Sequence, residues 1–106
     1  MEMQPRITFR SMAHSDALQT YAIEKLQKLN KFLQSERSPI DIDMVLEAHA
    51  QHDYYIAELK VHTPHYHLVA KKERNDMYAV IDEVVSKMDR ELAKAKEKLI
   101  DFIHGK

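Results

Sequence analysis

The chain has 106 residues, with 16 Lys+Arg against 17 Asp+Glu, one Gly and no Cys. A single domain spanning 1–106 is therefore expected, while disulfide frameworks, thiolate-held zinc, thiol chemistry and Gly-rich phosphate loops are excluded. No apolar run approaches the ~20 residues of a membrane-spanning helix, no signal-peptide core follows Met1, and a formal net charge of -1 speaks against a uniformly basic nucleic-acid binder, so the cytoplasm is the expected setting.

Arg6-Ile7-Thr8-Phe9-Arg10 alternates polar with apolar residues and predicts a short first strand. Ser15 is a good N-cap, and Asp16 suits the first turn of a helix. Leu18, Ala22, Leu26, Leu29 and Leu33 follow at spacings of three and four, which predicts one buried helical face. Gln34 to Pro39 is polar and reads as a loop. Period two then runs over the second strand: Ile40, Ile42, Met44, Leu46 and Ala48 take one face, and Asp41, Asp43, Val45, Glu47 and His49 the other. Ala50 to Asp53 reads as a turn. A third strand is predicted from Tyr54 to His62, with Tyr55, Ala57, Leu59 and Val61 inward. Thr63-Pro64 ends it, because Pro cannot donate to a ladder. A fourth strand is predicted from about His65 to Lys71, with Tyr66, Leu68 and Ala70 inward. The last element is a long helix capped by Asn75 or Asp76. Met77, Ile81, Val84, Val85, Met88, Leu92, Ala95 and Leu99 form its apolar stripe, Phe102 and Ile103 extend it, and Gly105 stands where a C′ Gly belongs.

The order is β-α-β-β-β-α. A helical crossover makes strands one and two parallel, with a right-handed connection, and short turns make strands two to four an antiparallel meander. The expected fold class is α+β: two layers, a four-stranded mixed sheet with both helices packed on one face.

The charges are unevenly placed. Residues 36–70 are acidic, and half of all Lys and Arg falls between Lys71 and Lys98. On the last helix Lys87, Arg90, Lys94 and Lys98 follow spacings of three and four and form one solvent-facing ridge, with Asp82 and Asp89 on the opposite flank. Lys25, Lys28 and Lys31 form a looser ridge on the first helix, and Lys71, Lys72 and Arg74 lead into the last. The helical layer is thus expected to present up to ten cations, of the kind that neutralise phosphates without reading bases. The plainer reading is a pair of ordinary wet helix faces tied by local pairs such as Glu83–Lys87 and Glu91–Lys94. The like-charge pairs Arg90–Lys94 and Lys94–Lys98 fit that reading less well. The open sheet face carries Asp41, Asp43, Glu47 and Glu58, with Tyr54 its one expected outward aromatic. That face should repel phosphate, unlike the aromatic sheet of RNA-recognition-motif domains.

His62, His65 and His67 gather around the turn between strands three and four, with His49 and His52 at the other end of the sheet. Such imidazoles can hold a divalent ion, so a metal-binding module is the alternative reading. No acidic neighbour is evident for catalysis, and the expectation is surface His, with no cofactor, no metal and no enzyme. Tyr66 is expected in the core. Tyr78 lies beside the apolar stripe at the helix start and is left open.

The stretch Asp76-Met77-Tyr78-Ala79-Val80-Ile81-Asp82, followed by Leu92-Ala93-Lys94-Ala95-Lys96-Glu97-Lys98-Leu99, resembles the bacterial ribosome hibernation promoting factor and protein Y family, the sigma-54 modulation proteins. Ile7-Thr8-Phe9, Ser15-Asp16-Ala17-Leu18 and Tyr21 to Leu29 are similar to its first strand and helix. The resemblance covers about residues 6–100. It implies binding in the decoding channel of the small ribosomal subunit, where mRNA and tRNA are excluded and translation is inhibited under stress or in stationary phase. It also implies rRNA contacts from Lys25 and Lys28 on the first helix and from Lys87, Arg90 and Lys94 on the last. Lys71, Lys72 and Arg74 are added from a segment in which the family varies. No linker, second core or acidic tail is expected after Phe102-Ile103. The resemblance is therefore to the short members, which support ribosome dimerisation with a second factor. It implies no membrane and no DNA partner.

Overall fold

A computed structural model describes residues 4–103. The elements are β1 (Arg6–Arg10), α1 (Asp16–Leu26), α2 (Asn30–Leu33), β2 (Asp41–His49), β3 (Tyr54–His62), β4 (His67–Arg74) and α3 (Met77–Ile103). The sheet order is β1-β2-β3-β4, with β1 parallel to β2 and the other pairs antiparallel. The expected β-α-β-β-β-α fold is the one observed.

Ser15 caps α1, its hydroxyl accepting from the Leu18 N–H at 3.2 Å. A 3-10 turn, Gln27–Leu29, then interrupts the helix that the sequence reads as continuous. The cause is the leucine spacing. Leu26 and Leu29 are three apart, and a three-residue turn stacks them on one side. Leu26, Leu29 and Leu33 are all buried as a result. They meet Met44 and Leu46 from β2, Leu59 and Val61 from β3, and Ile81, Val84, Met88 and Leu92 from α3 in one core.

Asp53 takes the left-handed conformation, φ 51°, where the chain enters β3. Asp tolerates that region better than most residues, so no Gly is needed there. The fourth strand begins two residues later than expected and ends three later. A tight turn holds its start: the Thr63 N–H donates to the Tyr66 carbonyl at 2.8 Å and the Tyr66 N–H to the Thr63 hydroxyl at 3.0 Å. At its other end Lys72, Glu73 and Arg74 pair with Ala57, Ile56 and Tyr55. A charged run suits an edge strand, where it discourages further strand pairing.

Asp76 caps α3, accepting from the Tyr78 N–H at 3.0 Å. Burial along α3 follows the expected stripe, with Val80 added, and stops at Leu92. Phe102 and Ile103 are exposed, which corrects the expectation that they extend the packed stripe, and Ile100 is exposed as well. The reason is length. A 27-residue helix runs about 40 Å, whereas a nine-residue strand spans about 30 Å, so the last turns run past the sheet. Gly105 lies outside the described residues.

Candidate nucleic-acid interface

Both helices follow strands that point the same way, so α1 and α3 lie parallel on the sheet with their N-termini at one end. Two ion pairs reach α3 from the first helical segment, one from α1 and one from α2. Lys25 Nζ lies 3.6 Å from Asp82 Oδ1, and Lys31 Nζ lies 3.2 Å from Asp89 Oδ1. The Tyr21 hydroxyl also donates to Asp82, at 2.7 Å. That hydrogen bond, with burial and the Asp82 charge behind it, pushes the Tyr21 hydroxyl up to about 12. The acidic flank of α3 is therefore matched by α1 and α2, and Lys25 and Lys31 are not bare charges.

The other side of α3 differs. Glu83 is taken by Arg74, whose Nε and Nη2 approach its two oxygens at 2.9 and 2.8 Å. This bidentate fork is geometrically favoured over a single Lys contact. It replaces the expected Glu83–Lys87 pair and leaves Lys87 without a carboxylate. Among the described residues Lys28, Lys72, Lys87, Arg90 and Lys94 form no ion pair. Arg90 and Lys94 are exposed and Lys87 is half-buried. Lys72 and Arg90 line one depression of about 150 Å³ with Glu83 and Ser86. The structure thus brings Lys72 and Arg74 beside the ridge of Lys87, Arg90 and Lys94.

Lys71 does not join them. Strand alternation places it on the open sheet face, in register with Glu58. That face also differs from the expected acidic surface. Arg6 and Arg10 lie 3.6 Å from Asp43 and Glu47, and Lys60 is in register with Asp43. The carboxylates of β2 and β3 sit among cations from β1 (Arg6, Arg10), β3 (Lys60) and β4 (Lys71). The face is charge-laced rather than uniformly repulsive. Tyr54 does lie there, stacked on His49 with ring centroids 4.7 Å apart.

The histidines separate. The rings of His62 and His67 approach to 4.0 Å across the β3–β4 ladder. His65 instead reaches Glu36, Nδ1 to Oε2 at 2.7 Å, so an acidic neighbour exists after all. Among the described residues no group of three His, Asp or Glu could hold a metal ion, and the metal-binding alternative is unsupported. Glu36 itself escaped sequence reading. It sits in a polar loop, yet it is 7% exposed and accepts from the Thr63 hydroxyl and from the His65 N–H at 3.1 Å. Its partners are 27 and 29 residues away, and no local pattern announces them.

A family model described as Sigma 54 modulation protein / S30EA ribosomal protein matches residues 6–100. The chain belongs to that family. Among curated members of the Sigma 54 modulation protein / S30EA family, the ribosome hibernation promoting factor of Azotobacter vinelandii is 34% identical over 103 residues, covering 97% of this chain and 92% of the relative. The factor of the same name from Klebsiella oxytoca is 31% identical over 97 residues, covering 92% and 97%. Two solved structures share the fold. The Thermus thermophilus protein Y N-terminal domain is 24% identical with a TM-score of 0.73, covering 89% of this chain and 98% of that one. A ribosomal subunit interface protein from Coxiella burnetii is 25% identical with a TM-score of 0.74, covering 90% and 99%. No helix among the described residues is long and apolar enough to cross a membrane.

Proposed function

We propose that this chain is a non-enzymatic, cytoplasmic ribosome hibernation factor, one ribosome-binding domain over residues 1–106. It binds the decoding channel of the small ribosomal subunit and keeps mRNA and tRNA out, inhibiting translation under stress or in stationary phase. Lys87, Arg90 and Lys94 form the centre of the rRNA contact, with Lys28, Lys72 and Arg74 beside them and Lys25 at the groove between the helices. Ribosome dimerisation, where it occurs, requires a second factor.

The observation that carries this reading is the ridge on α3. Asp82, Asp89 and Glu83 are spent on Lys25, Lys31 and Arg74, while among the described residues Lys87, Arg90 and Lys94 form no ion pair. Like charges at i,i+4 cost a helix a few tenths of a kcal/mol. A polyanion across the ridge offsets that cost. Family membership and the curated relatives' names support a ribosome as the polyanion.

Co-sedimentation with purified small subunits over a range of salt tests it. About five phosphate contacts give a log–log slope of affinity against salt on the order of -3 to -5. Absence of binding, or binding that ignores salt, would contradict the reading.

A further inference from the structure

We propose that the cavity at the N-terminal ends of α1 and α3 takes one unpaired nucleobase of the bound RNA, a base bearing an exocyclic amino group. The inference rests on the ribosome reading above and goes beyond phosphate contacts. The cavity measures about 430 Å³ and opens where the two parallel helices begin. Met12 and Leu18 give it an apolar lining, and Tyr55 and Tyr78 give it aromatic walls. Tyr78 is 43% exposed, unusual for a large ring beside a packed stripe. It is nonetheless held in place. Tyr21 packs against it edge-on, with centroids 4.8 Å apart, and Asp82 anchors Tyr21 in turn. A fixed, half-open ring is a stacking platform that loses little freedom on binding.

The polar lining selects the occupant. Asp76 spends Oδ1 on the Tyr78 N–H. Among the described residues its second oxygen and the Asn75 side chain make no hydrogen bond. A carboxylate in the lining repels a phosphate or an acidic side chain, but accepts from an amino group. Adenine, cytosine and guanine present one on the Watson–Crick edge, the edge that splayed-out RNA bases offer to proteins. Lys25 Nζ, 5.3 Å from the Tyr21 ring centroid, puts a cation one ring away from the platform for the adjoining phosphate.

The experiment is binding to purified small subunits at several salt concentrations, with dimethyl sulfate and kethoxal probing of base edges. The wild-type chain should protect an unpaired amino-bearing base. Tyr78→Ala should bind about 5- to 150-fold more weakly, as loss of one stacked base implies. It should also lose that protection and keep the wild-type salt slope, because stacking releases no counterions. Tyr78→Phe should retain both affinity and protection. Should Tyr78→Ala fail to fold by circular dichroism, Asn75→Ala decides: loss of the protection supports the inference, and unchanged protection overturns it. A folded Tyr78→Ala with wild-type affinity, a weakened one with a shallower salt slope, or a wild-type footprint without a protected base would overturn it while the ribosome reading stands. Failure of the wild-type chain to bind small subunits would overturn both.

Discussion

Charge reversal of Lys87, Arg90 and Lys94 to Glu is expected to abolish binding to the small ribosomal subunit at physiological salt and to leave the fold intact. Each charge-assisted contact contributes about 1.5–3 kcal/mol, so losing three weakens binding on the order of a thousand-fold or more, before repulsion by the new carboxylates. The fold survives because none of the three forms an ion pair and none belongs to the buried core. Surface changes of this kind stay within about 0.5 kcal/mol each. Lys71→Glu is the control. It lies on the other face of the sheet, and its binding is expected to match that of the wild-type chain. Sedimentation with purified subunits and circular dichroism on the same samples check both halves. Wild-type binding by a folded triple variant would remove the ridge from the interface.

Glu36→Ala costs about 1–3 kcal/mol, because it leaves the buried Thr63 hydroxyl without its acceptor and the His65 N–H without its partner. For a domain of this size that lowers Tm by roughly 5–20 °C. Glu36 ties the loop before β2 to the turn between β3 and β4, two segments that the sheet ladder does not join. Burial by itself pushes this carboxyl up. The hydrogen bonds from Thr63 and His65, with the His65 charge, outweigh burial and hold it below its ordinary value. A carboxyl depressed in the folded state adds stability that is present above the unfolded pKa and is lost as pH falls through the folded one. The wild-type advantage over Glu36→Gln should therefore hold near neutral pH and shrink below the ordinary carboxylate range of about 4.3. Thermal melts of the three proteins between neutral and acidic pH measure this. A pH-independent difference, or a Glu36→Ala melt within 2 °C of wild type, would contradict it.

Strands and helices were legible wherever one periodicity governed one face, as in Ile42, Met44 and Leu46 against Asp41, Asp43 and Val45. The break in the first helix was visible as a leucine spacing but not as a 3-10 turn, because spacings of three and four fit one helical face equally well. Side-chain partners were the illegible part. Glu83 lies four residues from Lys87, yet Arg74 takes it from the neighbouring strand with a two-pronged contact. Lys71 and Lys72 are adjacent in sequence and fall on opposite faces, which only the extension of β4 to Arg74 decides. Glu36 looks like any loop carboxylate until tertiary structure brings Thr63 and His65 to it. Local pattern thus located the cations, while long-range pairing decided which of them remain free.

Occupancy of the channel is decided by competition on purified small subunits. Subunits are loaded with a short mRNA and a labelled tRNA, and the chain is added at rising concentration. Steric exclusion predicts that tRNA and mRNA leave as the chain binds, and that prior loading raises the concentration of chain needed. Stable subunits carrying the chain, the mRNA and the tRNA together would contradict the channel placement, even if the basic ridge still proved essential for binding.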